Sequence, residues 1–171
     1  DDGVDNNCDG GGGDCAPLSG DVSIETADAI LSGAERTFGL GISSADFNQD
    51  GVMNVLTADS DGYSGAGAVY VFGQLDQDTE NATSSALLTL YGSANAPVGL
   101  QVAATEDLTG DGVPDIATMF SNEDIVLHSG DVVGVQDIYS EMILIEGTEG
   151  SDTHAGQMGS ADFSGDGSAD L

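Results

Sequence analysis

The 171-residue chain reads as an all-β protein of repeated units, and three features carry that reading. Its apolar residues fall in short runs rich in Val, Ile, Thr and aromatics, bounded by Gly, Asn, Asp or Ser, as strands between turns are. No sustained helical period occurs along the chain. One acidic loop recurs three times, as DFNQDGVMN from Asp46, DLTGDGVPD from Asp107 and DFSGDGSAD from Asp162, at separations of 61 and 55 residues.

Residues 1–20 form an acidic, Gly-rich leader without basic or apolar signal-peptide regions, so the chain is expected to be a processed or excised piece. Cys8 and Cys15 bracket CDGGGGDC, a stretch able to close a small loop. A disulfide is the preferred reading, given the extracellular look of the rest, and two free thiols are the alternative. The same leader offers Asp5, Asn7 and Asp9 before Gly10 as a further metal loop, with Asp14 standing in for a missing ninth ligand; a flexible acidic segment is the competing reading.

Residues 21–171 divide into units of about 27–74, 85–134 and 140–171. Each opens on a strand-like run ending in glycine: AILSG to Gly33, LLTLYG to Gly92 and MILIEG to Gly147, spaced 59 and 55 residues apart. A small-residue segment and the acidic loop follow. After the first loop come VLTA and GAVYVFG, and after the second IATMF and DIVLHSG, giving about four strands per unit. The third unit is incomplete. This pattern fits a propeller blade or a stacked β unit.

Numbered from its first Asp, each loop presents oxygen donors at positions 1, 3, 5 and 9, glycine at 6 and a backbone carbonyl at 7. The first set is Asp46, Asn48, Asp50, the Val52 carbonyl and Asn54; the second is Asp107, Thr109, Asp111, the Val113 carbonyl and Asp115; the third is Asp162, Ser164, Asp166, the Ser168 carbonyl and Asp170. Alternating oxygens around a glycine turn suit Ca2+, which takes six to eight oxygen ligands at flexible distances; Mg2+ demands a stricter octahedron. The metal-free alternative is an Asx-turn loop whose carboxylates cap backbone amides. Carboxylate count ranks the first loop weakest. An EF-hand needs an acidic residue at position 12 and helical flanks, but Thr57 and Thr118 stand there.

With 31 acidic residues against one basic residue, Arg36, the formal charge is −30. Phosphate backbones and anionic lipid, both bound through Lys and Arg, are thereby excluded as partners, and no apolar run is long enough to span a bilayer. The acidity also fits salt adaptation or neutralisation by divalent cations. No nucleophile elbow, phosphate-binding loop or His pair at ligand spacing is present. His128 reads as a strand-end or turn residue and His154 as a loop residue, so no enzyme is expected. Asn81-Ala82-Thr83 is a glycosylation sequon.

The stretch FGLGISSADFNQDGVMNVLTADSDGYSGAGAVYVFG, with its Phe38-Gly39 pair, acidic loop and GAGAVYVF strand, resembles the FG-GAP repeat, the blade unit of integrin-type β-propellers and many bacterial surface proteins. The resemblance covers roughly residues 27–171. It implies four-stranded propeller blades with Ca2+ in a hairpin loop of each. The leader DGVDNNCDG looks like the Cys-Asp-Gly metal-binding repeats of such proteins. Departures are the replacement of the Gly-Ala-Pro tripeptide by Ala58-Asp59-Ser60, and of Phe-Gly by Val98-Gly99 and Ala155-Gly156. Three units also fall short of the four to eight blades that close a propeller.

The expectation is a secreted or cell-surface, calcium-stabilised structural or adhesion protein. Its partners would be further blades or other copies of itself, together with a protein or glycan ligand. Two alternatives stand: a self-assembling filament subunit completed by strand addition, and a piece of a larger propeller-bearing secreted hydrolase.

Overall fold

The computed structural model describes residues 29–33, 35–75, 80–120, 124–131, 133–140, 142–146, 158–165 and 170–171. The leader, with Asp5, Asn7, Asp9 and the Cys8–Cys15 pair, lies outside them, as do His154, Asp166 and Ser168.

The described residues are all-β, with strands β1 (Ile30–Ser32), β2 (Ile42–Ala45), β3 (Asn54–Asp59), β4 (Ala68–Phe72), β5 (Glu80–Ala82), β6 (Leu88–Tyr91), β7 (Val102–Ala104), β8 (Asp115–Met119), β9 (Ile125–Ser129), β10 (Gly134–Asp137) and β11 (Met142–Ile145). Among the described residues, helical structure is confined to single turns at Gly62–Gly65 and Thr83–Ser85. Among these residues no helix is long and apolar enough to cross a membrane.

Two antiparallel meanders dominate. In the first, β2, β3, β4 and β6 pair in sequence, and β10 adds to the outer edge in parallel with β6. In the second, β7, β8, β9 and β11 pair in sequence. A third, two-stranded sheet joins β1 and β5 in parallel. Neither meander closes on itself. The glycine-terminated run at Leu88–Tyr91 thus completes the sheet of the first acidic loop, so sheets in space are offset from units counted along the chain.

The central strands are near-continuous apolar runs because both of their faces are covered. On β4, Val69 and Val71 face the second meander, in a core shared with Leu56, Leu88, Leu90, Val98, Ile116 and Val126. Its other face, Ala68, Tyr70 and Phe72, packs against Leu31 of β1 and Phe38. The second meander repeats this: Ile116 and Val126 face the first meander, whereas Ala103, Ala117 and Leu127 take Met158 on the far side. The described elements therefore form a stack, each sheet pressed between the element before it and the one after.

Thr57 on β3 and Thr118 on β8 show the equivalence of the two meanders. Each hydroxyl donates to a backbone carbonyl at the foot of the preceding strand, Gly41 at 2.8 Å and Gln101 at 2.9 Å. These are the position-12 residues, and they lie within strands, as the strand-like flanks require.

Leu56 is fully buried between the meanders, and Ile143 is about half exposed on β11. Leu56→Ala is expected to cost about 2–5 kcal/mol and to lower the thermal midpoint by about 2–4 °C per kcal/mol. Ile143→Ala should stay within about 0.5 kcal/mol. Equal losses in thermal denaturation would contradict the stacked core.

Candidate metal centre

The first two acidic loops occupy the same place in the fold: Asp46–Asn54 joins β2 to β3, and Asp107–Asp115 joins β7 to β8. Both bend through a left-handed glycine at position 6, Gly51 (φ 87°) and Gly112 (φ 94°). Position 4 is left-handed too. Gly110 and Gly165 take it without steric cost, whereas the first loop places Gln49 there at φ 54°.

The first carboxylate of each loop gathers the backbone N–H groups of the turn. Asp46 accepts from Asp50 at 3.0 Å and Gly51 at 2.9 Å. Asp107 accepts from Gly110, Asp111 and Gly112 at 2.6, 3.0 and 2.8 Å. The carboxylate at position 5 then caps position 7, Asp50 from Val52 N–H at 2.8 Å and Asp111 from Val113 N–H at 3.0 Å. Position 9 closes the loop. Asn54 Oδ1 accepts from Phe47 N–H at 2.8 Å, and Asp115 Oδ2 accepts from Leu108 and Thr109 N–H at 2.7 Å each.

The third loop keeps the same wiring wherever it is described. Gly165 N–H donates to Asp162 Oδ1 at 2.6 Å and Ser164 N–H to Asp170 Oδ2 at 2.8 Å, while Ala161 and Asp170 form an antiparallel bridge.

Only the second loop, among the described residues, brings three carboxylates together. Asp107, Asp111 and Asp115 each offer an oxygen within 4.8 Å of the others. Asp115 is fully buried and the other two are exposed, so the cluster opens to solvent on one side. Burial pushes the Asp115 carboxyl above the ordinary carboxylate range, and the charge of Asp111 adds to the shift; the Thr109 N–H and hydroxyl and the Leu108 N–H oppose it. The Ser129 hydroxyl and Val113 N–H hold Asp111 below that range.

The donor set fits a hard divalent cation. Asp107 Oδ2 and Asp115 Oδ1 each accept one hydrogen bond, from Gly112 N–H and the Thr109 hydroxyl, leaving a lone pair on each oxygen. Amide capping and cation binding are therefore compatible in this loop. In the first loop Asn48 Nδ2 donates to Asp50 Oδ2 at 2.8 Å, and only two carboxylates are present.

Three further side chains stand out, and the last of them, His128, is the one that the sequence reads as a strand-end or turn residue. Gln49 Nε2 donates to the Gly112 carbonyl at 2.6 Å, tying the first loop to the second. Asp59, in the Ala58-Asp59-Ser60 tripeptide, is buried and accepts from the Thr37 hydroxyl at 2.5 Å and Asp61 N–H at 3.2 Å. The DSDG run containing it is a turn signal that marks this knot. His128 lies within β9, fully buried, with Nδ1 2.9 Å from the Ser129 carbonyl.

Set against models of protein families and against curated proteins, the sequence matches none of them.

Asp115→Asn tests the balance of charge in the second loop, since Asn54 already performs the same closure in the first. A carboxyl whose folded pKa is raised subtracts stability as pH climbs from its unfolded value through its folded one. In chelator at neutral pH, Asp115→Asn should therefore melt higher than the parent, and its stability should fall less between pH 4 and pH 7. With millimolar Ca2+ the order should reverse. Thermal denaturation of both proteins under the two conditions decides it.

Proposed function

We propose that this chain is a non-enzymatic, extracellular structural or adhesion protein in which Ca2+ rigidifies FG-GAP-type β-propeller blades. The observation that carries this reading is the Asp107–Asp111–Asp115 cluster at the first hairpin of a four-stranded meander, with a loop of the same wiring at the same place in the preceding meander.

Calcium's role here is architectural. Asp107, Asp111, Asp115 and the Thr109 hydroxyl would hold the ion, with the Asp46, Asp162 and leader loops as further sites. The ion cancels clustered charge in a chain of formal charge −30, so binding free energy becomes folding free energy. Extracellular sites of this kind bind at about 10⁻⁴ to 10⁻³ M, which suits surroundings rich in calcium.

A second reading, a filament subunit completed by strand addition, is favoured by one specific observation. β11 pairs with β9 on one edge, and among the described residues no strand pairs with the other.

Removing calcium should lower the melting temperature. At free Ca2+ about 10 to 100 times the dissociation constant, each site contributes about 1.4–2.7 kcal/mol. Melting curves that coincide in excess EGTA and in 10 mM CaCl2 would sink the calcium reading.

A further inference from the structure

We propose that Gln49 couples the first acidic loop to the second, so that a cation taken up by either favours uptake by the other; the inference rests on the calcium reading above. Gln49 is then a positioning residue for the Asp107–Asp111–Asp115 cluster, supplied by a different loop.

The backbone and side chain of Gln49 make sense only together. Position 4 of each loop is left-handed, and a Cβ there crowds the following carbonyl. The sister loops avoid that cost with Gly110 (φ 85°) and Gly165 (φ 76°), whereas Gln49 bears it at φ 54°. Asn or Asp can offset a left-handed backbone with a short local hydrogen bond. The Gln49 amide instead reaches out of its own loop and donates through Nε2 to the Gly112 carbonyl at 2.6 Å.

The tie holds one peptide unit of the second loop at both ends. The carbonyl of the Gly112–Val113 peptide takes Gln49, and its N–H, on Val113, donates to Asp111 Oδ1 at 3.0 Å. The N–H of Gly112 itself donates to Asp107 Oδ2 at 2.8 Å. Rotation of the peptide beside this left-handed glycine would withdraw Val113 N–H from Asp111, so Gln49 fixes the backbone that joins the two exposed carboxylates of the cluster. On the first loop, Gln49 stands between Asn48 and Asp50, two of the proposed ligands, and Asp50 N–H donates to Asp46. A cation that orders Asn48 and Asp50 therefore orders the residue that reaches the second loop. Thermodynamic linkage makes the effect reciprocal.

A second contact sets the spacing of the two loops. Phe47, position 2 of the first loop, is buried in the core shared by the meanders and packs on Gly130, where a Cβ would collide with its ring. Gly130 N–H in turn donates to the carbonyl of Pro114, position 8 of the second loop, at 3.2 Å. The loops are thus wedged at their base and tied at their rim, a contiguous path for coupling. The tie is not repeated, because position 4 of the second loop is Gly110, which has no side chain to send to the third. The first two loops form a pair, and the third serves as an internal control.

Gly51, Gly112 and Gly165 each donate an N–H to the first Asp of their own loop, so their amide signals report the three loops separately. In the full chain titrated with CaCl2 and followed by heteronuclear NMR, Gln49→Gly should raise the Gly112 midpoint about fivefold or more and leave the Gly165 midpoint at its parental value. Glycine suits the left-handed backbone, so this variant should keep the fold, which its melting temperature in EGTA checks. Gln49→Asn, which tolerates that backbone but is one methylene too short to reach Gly112, should match Gln49→Gly. Asp50→Asn, which weakens the first loop, should raise the Gly112 midpoint in the parent and leave it unchanged in the Gln49→Gly background. An unmoved Gly112 midpoint in Gln49→Gly, an equal rise at Gly165, or the same effect of Asp50→Asn in both backgrounds would overturn the coupling and leave the calcium reading intact. No response to CaCl2 at any of the three glycines would overturn both.

Discussion

Carboxylates that cannot find a cation must find an amide, and this need shapes the acidic turns of the chain. Only Arg36 offers a basic side chain against 31 acidic residues. Backbone N–H groups are the abundant remaining donors, and they are free where the chain turns rather than where strands pair. Asp46, Asp107 and Asp162 each sit at the start of such a turn and take its N–H groups. The second loop takes this furthest. Asp115 gathers three donors yet remains buried beside Asp111, and its carboxyl is still pushed up.

The sheets follow from the same segregation. With charge gathered in turns, at edges and at strand ends such as Asp59 and Asp115, the middle of each central strand is free to be apolar on both faces, as on β4, and a strand of that kind is stable only between two layers. The fold is therefore a stack by necessity. The tie from Gln49 to the Gly112 carbonyl, at 2.6 Å, shows the stack continuing out to the loops. It also gives a reason for a left-handed Gln49 where the sister loops use glycine, since only a side chain can span the gap.

The sequence made the acidic loops legible because their constraints are local: alternating oxygens, a glycine for the positive φ, and strand-like flanks within a dozen residues. It made the all-β class legible for the same reason. The parallel strands were hidden. Glu80–Ala82 and Gly134–Asp137 carry little of the Val, Ile and aromatic content that marks a strand, and what holds them is a backbone ladder to an edge about 50 residues away in sequence. Likewise the run ending at Gly92 looks like the start of a unit along the chain, yet it is the outer strand of the preceding sheet. Short apolar runs announce strands; they do not announce neighbours.

A stack made this way has an asymmetry that bears on its growth. Each meander lends a latch strand backwards and presents an outer strand forwards, and the outer strand of the second meander, the apolar β11, is partly exposed. An exposed hydrophobic edge is a template for pairing, which soluble proteins blunt with charge. The formal charge of −30 supplies that protection over the whole surface instead of at the edge itself, since like-charged copies repel. Protection of this kind is weakened by any divalent cation that the acidic loops take up. An ion bound at the Asp107–Asp111–Asp115 cluster would thus act twice, easing the burial of Asp115 within the fold and lowering the repulsion between like-charged copies.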